Sequence, residues 1–466
     1  MFDSNIYQKR RINLRNQLNS GLILFLSNQE ASLNYKANTY RYRQDSNFSY
    51  FFGLDTPQFN AMIDIDSGLN YISGIFPEID DLIWLGSEEA KKTEVAVKES
   101  AVDKGITPSE FEEIIKQAII DGRKVHFLPP YRADQYLQLQ NLLGLNVSDI
   151  DNYVSVELIE AIVKMRSVKT ELEISEMEKA ANIAYEMHTT AMKMAKDGVS
   201  EQKIVGKMEG IAISNGWGTS FPIILSKDGQ YLHNHFHGNI LKNGDLLLVD
   251  AGAETNSHYA SDMTRTFPVS GKFSVRQKEI YEIVLKANEE TIKEVKPGIF
   301  FKDLHLMAAK IIVEGLKEVG IMKGDTDEAL EKGAHALFFP HGLGHQLGMD
   351  VHDMEGLGEK YVGYNKNVKR SKQFGLAFLR FAKNLKKGYV ITIEPGIYFI
   401  PLMIDIWKKE NKFSEFINYE KVETYKDFGG IRIEDDILVT ENSYKILGKK
   451  VPKKVEEIEK FISENN

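Results

Sequence analysis

The sequence predicts an α+β protein of two domains, and three features of the chain support this prediction. First, 466 residues are too many for one ordinary domain. Second, residues 1–152 mix short strand-like apolar runs with helical patterns, as an α/β domain does. Third, residues 153–466 contain the same order of elements twice, with two helices followed by strands in each copy. The second domain is therefore expected to have approximate twofold internal symmetry.

The N-terminal domain is expected to contain strands at residues 61–65 and 124–128 and an amphipathic helix at residues 109–120. A polar stretch follows these elements, and domain linkers usually fall in such stretches. We therefore place the two domains at residues 1–152 and 153–466.

Two similar helical segments form the internal repeat. The first opens with a capping box formed by Thr170 and Glu173, repeats apolar residues at helical spacing, and breaks at Gly198. The second opens at Ser274 and breaks at Gly298, so the two breaks lie 100 residues apart. A duplicated unit explains this spacing, although two unrelated helix pairs would also fit the pattern. Two such halves would enclose a cleft, where a ligand site is expected.

The composition indicates a folded protein without a nucleic-acid partner. Apolar residues make up 42% of the chain, and 58 basic against 67 acidic side chains give a net charge of −9. A surface that neutralises phosphates would need an excess of basic side chains. The absence of cysteine excludes disulfides and thiolate ligands and fits a reducing compartment. The longest apolar stretch, residues 389–406, is interrupted by Glu394 and Pro395, so a soluble cytoplasmic protein without a membrane span is expected.

The first chemical signal is a pair of aspartates on neighbouring strand-like runs. Asp250 ends the apolar run LLLVD, and Asp262 opens a second run after a polar connection. A hairpin centred on Asn256 would place the two carboxylates at directly opposite positions, with Cβ atoms about 5 Å apart. Two buried carboxylates at that distance need a cation or a shared proton. A different strand register, with each aspartate in solvent at a loop edge, is the alternative.

The second signal is a group of histidines in a glycine-rich segment. His341, His345 and His352 lie in FFPHGLGHQLGMDVHD, residues 338–353. The glycines disfavour a helix, so the backbone is expected to be extended and tightly turned. An extended backbone would present His341 and His345 on one side, whereas His352 needs a bend. A single histidine is usually a satisfied polar residue, but three within twelve residues indicate a site.

Two further carboxylates lie in strand-like runs. Glu394 ends the run YVITIE, and the proline that follows favours an extended backbone there. In GGIRIEDD, residues 429–436, Arg432 and Glu434 would share one face of a strand. Each of these residues, considered alone, could be ion-paired or at the surface. The four carboxylates and the histidines form an oxygen-rich set without sulfur, which favours two divalent ions such as Mn, Co or Zn that share bridging ligands.

These motifs resemble those of a known family. HGLGHQLGMDVHD, IEPG and GIRIEDD, in this order after the two aspartates, are similar to motifs of the pita-bread metallopeptidases, and within them of aminopeptidase P, the Xaa-Pro aminopeptidases. YRYRQDSNFSYFFG, residues 40–53, resembles the RQxSxFxYxxG signature of the family's non-catalytic domain. The resemblance implies a creatinase/prolidase-like α/β domain followed by a pseudo-twofold pita-bread catalytic domain. It also implies release of the first residue from peptides with proline in the second position.

The resemblance implies a role for each site residue. Five side chains would bind two divalent metal ions, with Mn expected and Co or Zn as alternatives: Asp250 on one ion, His345 and Glu394 on the other, and Asp262 and Glu434 as bridges. Glu394 would also act as the general base. The remaining implied residues are His233 near the scissile bond, His341 and His352 in contact with substrate and the tetrahedral intermediate, and Arg432 in support of Glu434.

The chain departs from the shortest bacterial relatives in two segments that flank Glu394. Residues 356–387 and 401–428 are longer here, and they would be either peripheral loops or part of the substrate rim. The family likeness further implies peptide substrates and a homo-oligomer, either a dimer or a tetramer.

Several other functions are possible for this set of motifs. Prolidase, which cleaves Xaa-Pro dipeptides, shares the ligands and a similar N-terminal domain. Methionine aminopeptidase lacks such a domain, and creatinase-like enzymes have replaced the metal ligands. A catalytically inactive peptide-binding module of the same fold would have no need of five ligands. The motifs H-E-x-x-H, G-x-S-x-G and G-x-x-x-x-G-K-[ST] do not occur in the chain.

Overall fold

A computed structural model describes residues 1–74, 79, 82–84 and 93–465. The chain divides into two compact units, Met1–Met165 and Arg166–Asn466. Along the chain, the first unit ends 13 residues after the domain boundary that the sequence suggested at residue 152. That boundary stays a prediction. Among the described residues, no helix combines the length and the apolar character needed to cross a membrane.

The first unit combines a mixed sheet with helices. Its described helices are α1 (Ser4–Arg15), α2 (Ser46–Phe52), α3 (Thr93–Ser100), α4 (Pro108–Ile120), α5 (Ala133–Leu143) and α6 (Val156–Arg166), with a 3-10 helix at Val147–Asn152. The last residue of α6, Arg166, already belongs to the second unit. Its described strands are β1 (Leu22–Phe25), β2 (Ser32–Tyr35), β3 (Asn38–Thr39), β4 (Asn60–Asp64), β5 (Asn70–Ser73), β6 (Lys104–Ile106) and β7 (Val125–His126). The sheet order is β6-β5-β4-β1-β7, in which β1 pairs antiparallel with β4 and parallel with β7. The predicted strands and helix of this region are confirmed to within three residues at each end.

The RQDSNFSYFFG motif folds as a capped helix in the core of this unit. The carboxylate of Asp45 accepts a hydrogen bond from Phe48 N at the start of α2, and Gly53 ends the helix in the left-handed region at φ 67°. Phe48, Phe51 and Phe52 are fully buried. The motif therefore has a structural role in the described residues: it fixes one aromatic helix against the sheet.

The second unit contains both helix pairs of the repeat. Its described helices are α7 (Glu171–Met194), α8 (Glu201–Asn215), α9 (Val275–Lys293), α10 (Phe301–Glu318), α11 (Thr326–Lys332), α12 (Glu359–Val362), α13 (Pro401–Lys409), α14 (Tyr419–Glu423) and α15 (Val455–Asn465). Its described strands are β8 (Gly218–Thr219), β9 (Ile224–Ser226), β10 (Leu246–Asp250), β11 (Ala253–Glu254), β12 (Thr264–Pro268), β13 (Val390–Ile393), β14 (Gly396–Tyr398), β15 (Gly430–Arg432), β16 (Asp435–Val439) and β17 (Tyr444–Ile446).

The repeat predicted from the sequence is present in the helices. Thr170 and Ser274 each complete a capping box at the start of α7 and of α9. Each helix is followed by a glycine in the left-handed region, Gly198 at φ 80° and Gly298 at φ 93°, and then by a second helix. Each helix pair precedes a three-stranded sheet, β12-β10-β9 in one half and β13-β16-β17 in the other.

The two halves of the second unit join at the start of β12. Thr264 forms an isolated bridge with Glu434, which lies between β15 and β16. Glu434 N donates to Thr264 O at 3.1 Å. This junction brings a carboxylate of the C-terminal half beside the aspartates of the other half.

The hairpin that contains Asp250 and Asp262 differs from the prediction in its register. Asp250 lies opposite Thr264, so the expectation that the two aspartates face each other directly was wrong. The connection turns tightly, with Thr255 N donating to the carbonyl of Tyr259 at 3.0 Å, and its centre is one residue further along than predicted. Moving the centre by one residue shifts every pairing by two, so Asp262 is the diagonal neighbour of Asp250 on the same face.

Candidate metal centre

The five expected ligands lie at strand ends or in irregular segments beside them. Asp250 is the last residue of β10, and Glu394 directly follows β13. The other three expected ligands are Asp262, His345 and Glu434, and all five line one cavity of about 630 Å³. Carboxylates at the ends of buried strands can face a cavity without breaking the apolar core behind them.

Glycines let the histidine segment lie close against β13. His345 O accepts from Thr392 N at 3.0 Å, and Leu343 O accepts from Glu394 N at 2.8 Å. A Cβ on Gly344 would come within 2.2 Å of Thr392 O, so this position requires glycine. The close pairing confirms the expected extended backbone and places His345 beside Glu394.

Three of the five side chains form a tight group. Single ligand atoms of Asp262, His345 and Glu434 all lie within 4.8 Å of one another, and all three residues are buried. His345 Nε2 is 3.4 Å from Asp262 Oδ2 and 3.8 Å from Glu394 Oε1. Ligands bound about 2.1 Å from one ion lie at most about 4.2 Å apart, so the separations of 3.4 and 3.8 Å suit a shared ion. Asp250 lies in the same cavity but outside this group of three.

Burial controls the protonation of the group. Desolvation, followed by repulsion from Glu434 and Asp250, raises the pKa of Asp262 well above its ordinary value. Desolvation and the nearby carboxylates likewise raise the pKa of Glu434, and desolvation raises the pKa of Glu394 to about 8. Burial and the neighbouring His352 lower the pKa of the His345 imidazole, which is therefore neutral, as a metal ligand must be.

The donor set fits divalent metal ions. Within the part of the chain that the structure describes, Asp250 Oδ1 and Asp262 Oδ1 are buried and accept no hydrogen bond. A buried carboxylate oxygen without a donor is costly, and a cation removes that cost. Carboxylates with one imidazole and no sulfur suit hard or borderline divalent ions.

Arg432 connects the two sides of the centre. Its Nη2 donates to Asp250 Oδ2 at 2.5 Å, and its Nε donates to Thr264 Oγ1 at 3.1 Å. Thr264 Oγ1 in turn donates to Glu434 Oε2 at 2.7 Å. The resemblance implied support of Glu434, but the direct ion pair of Arg432 is with Asp250, and Glu434 is reached through the threonine.

Two further residues of the site, Thr264 and Tyr398, were not predicted from the sequence. The Tyr398 hydroxyl accepts from Arg432 Nη1 at 2.8 Å and lies 2.9 Å from His341 Nε2. Thr264 follows Asp262 by two positions and therefore lies on the same strand face, which was a usable signal. No sequence signal identified Tyr398, because its two partners lie 57 and 34 residues away along the chain.

The three other predicted histidines line the same cavity in different environments. Both ring nitrogens of His341 already have partners, since Nδ1 lies 2.8 Å from Gly342 O and Nε2 contacts a tyrosine. His352 Nδ1 lies 2.6 Å from Glu355 Oε2, and its ring packs on His345 with centroids 4.2 Å apart. His233 is the most exposed of the three, and desolvation, followed by the charge of the Arg432 guanidinium, lowers its pKa.

Comparisons with known proteins agree with this geometry. The chain matches the model of metallopeptidase family M24 over residues 175–441 and that of the aminopeptidase P N-terminal domain over residues 7–126. A Fusarium vanettenii protein named as a probable Xaa-Pro aminopeptidase is 35% identical over 434 residues, or 91% of this chain and 88% of that protein. The Xaa-Pro dipeptidase of Homo sapiens is 32% identical over 454 residues, or 94% of this chain and 88% of that protein. Zn-substituted Escherichia coli aminopeptidase P in complex with product is similar at a TM-score of 0.81 and 29% identity, covering 100% of this chain and 99% of that one.

The chain belongs to metallopeptidase family M24. It is a metallo-exopeptidase in which an N-terminal domain of the aminopeptidase P type precedes the pita-bread catalytic domain. The fold class expected from the resemblance is thereby confirmed.

Proposed function

We propose that this enzyme releases the first residue from peptides with proline in the second position, using two divalent metal ions. The observation on which the proposal rests is the buried set of carboxylates around His345, whose ligand atoms lie close enough together to bind a metal ion. The relatives named above act on Xaa-Pro bonds, which supports the substrate class.

We assign the metal ligands as the resemblance implies: Asp250 on one ion, His345 and Glu394 on the other, and Asp262 and Glu434 between them. Bound by these residues, divalent ions would supply Lewis acidity and a water that is nucleophilic at neutral pH. Mn is the expected metal, with Co and Zn as alternatives, because the ligands are mostly carboxylates.

The side chains around the ligands orient substrate and move protons. Glu394 lines the cavity beside His345 Nε2, so its carboxylate is placed to accept the proton of the attacking water. None of the hydrogen bonds of the described residues uses His352 Nε2, which leaves this nitrogen for a polar group of the substrate. We assign the same kind of contact to His233 at the cavity mouth and to His341, which must first exchange a protein partner.

A tertiary Xaa-Pro amide explains why a dedicated site is needed. Proline has no backbone N–H, so a peptidase that binds that N–H cannot hold this bond. If the α-amine of the substrate binds near the carboxylates of Asp262 and Glu434, cleavage would be limited to the first peptide bond.

Xaa-Pro dipeptidase activity is the second proposal, because the human relative with that name covers 94% of this chain. The deciding experiment compares kcat/KM for Ala-Pro with kcat/KM for Ala-Pro-Leu. We expect cleavage of the tripeptide, loss of activity after exhaustive chelation, and recovery with Mn or Co. Cleavage of the dipeptide alone would establish the second proposal, and full activity without metal would refute both.

Three further proposals rest on sequence and likeness. We propose that the boundary between the two domains is at residue 152. We also propose that the protein is cytoplasmic, as the absence of cysteine favours, and that it forms a homodimer or homotetramer. Size-exclusion chromatography with light scattering tests the last of these, and a monomer would contradict it.

A further inference from the structure

Two half-exposed phenylalanines lie at the edge of the catalytic cavity. Phe374 is 42% exposed and Phe378 is 51% exposed, yet both line the cavity together with Met403. Exposed aromatic rings leave a large apolar area in water, which is unfavourable. Apolar residues that line a substrate cavity and remain exposed are available to cover an apolar part of the substrate.

These rings join the two long segments that flank Glu394. The Phe374 ring packs edge-on against Phe378 at 5.9 Å and against Trp407 of α13 at 6.0 Å between centroids. Met403 is on the same helix as Trp407. Residues of the segments 356–387 and 401–428 therefore contact each other, and both segments contribute side chains to the cavity lining.

The position of the rings fixes which part of a peptide they meet. Asp262 and Glu434 are 6% and 1% exposed, so these two carboxylates lie at the deep end of the cavity. An enzyme that removes the first residue holds the α-amine at the deep end, and later residues extend toward the mouth. Phe378 O lies 3.0 Å from the Cβ position of Gly342, which places this segment beside His341 on the cavity wall.

We propose that Phe374 and Phe378, together with Met403, form a subsite for an apolar side chain in the third position of the substrate. This inference rests on the proposed cleavage before proline. The preferred substrates are peptides in which a large apolar residue follows the proline. Removal of a substrate side chain that fills an apolar pocket lowers kcat/KM about tenfold or more. Peptides with leucine in the third position are therefore expected to be preferred over those with glycine by about this factor.

The experiment measures kcat/KM for Ala-Pro-Leu and Ala-Pro-Gly with the metal-loaded full chain. Wild type is expected to prefer the leucine peptide about tenfold, and Phe378→Ala and Phe374→Ala are each expected to bring the ratio toward one. Phe378→Leu keeps an apolar side chain and is expected to retain most of the preference. Leu402→Ala is the matched control, because Leu402 is 70% exposed on the same helix as Met403 and does not line the cavity.

The outcomes separate this proposal from the proposed function. An active wild type with equal kcat/KM for both tripeptides would overturn the subsite and leave the function intact. Equal losses on both tripeptides in the alanine variants would show a structural role and would also overturn the subsite. Failure of wild type to cleave any Xaa-Pro tripeptide would refute the proposed function, and the subsite with it.

Discussion

Replacement of Asp353 by alanine should strongly destabilise the second unit. The Asp353 side chain is 1% exposed, and its oxygens lie 2.7 Å from Arg166 Nη2 and 2.9 Å from Lys169 Nζ. Both cations are also buried, at 2% and 1% side-chain exposure. Among the ion pairs of the described residues, Lys169 has no second carboxylate, so Asp353→Ala would leave it uncompensated in the interior.

The expected loss is about 3–5 kcal/mol, the usual cost of breaking a buried pair from one side. The value should fall at the lower end, because Asp350 also contacts Arg166 at 2.9 Å and remains in place. The carboxylate also contacts the site segment, since a Cβ on Gly348 would come within 2.4 Å of Asp353 Oδ2. The network therefore positions the backbone that follows His345.

Urea unfolding followed by tryptophan fluorescence measures this effect, since Trp217 and Trp407 both lie in the second unit. Asp350→Ala is the matched control: its side chain is 38% exposed, and its loss should cost less than about 1 kcal/mol. Equal midpoints for Asp353→Ala and Asp350→Ala would refute the reasoning.

Two other perturbations test the site and the core. Thr264→Val removes the hydroxyl between Arg432 and Glu434 and should lower metal affinity about 10–100-fold. Competition with a fluorescent chelator measures this affinity, and an unchanged value would show that the hydroxyl does not position Glu434. Burial lowers the pKa of His335 to about 4, so the folded state disfavours protonation of this imidazole. The free energy of unfolding is therefore expected to be highest above about pH 6.5 and to fall by about 3 kcal/mol as the pH drops toward 4. His335→Phe should lose less stability than wild type between pH 6.5 and pH 4 in urea titrations, and an identical loss would contradict this assignment.

Local signals made much of the fold predictable. The capping boxes at Thr170 and Ser274 and the breaks at Gly198 and Gly298 depend on a few neighbouring residues, and all four are present in the structure. The extended histidine segment was predictable for the same reason, because glycine disfavours a helix whatever the tertiary context.

Features that depend on distant contacts were not predictable in detail. The register of the Asp250 hairpin follows from a tight turn in which His258 adopts φ 64°, a conformation that the sequence does not specify. The ion pair between Arg432 and Asp250 joins residues 182 apart, and strand alternation gives only the face of Arg432, not its partner. The ligand set was found by motif likeness, whereas the convergence of its members in one cavity is a tertiary property.

Metal stoichiometry distinguishes a two-ion centre from a cavity lined by protonated carboxyl groups. Metal-free protein should be titrated with Mn(II) by calorimetry, alongside Asp262→Asn, with circular dichroism to show that the variant is folded. We expect two ions per wild-type chain and the loss of at least one in the variant, because Asp262 is the buried carboxylate closest to His345. Wild-type protein that binds no stoichiometric ion, or a folded variant that binds both as tightly, would contradict this expectation.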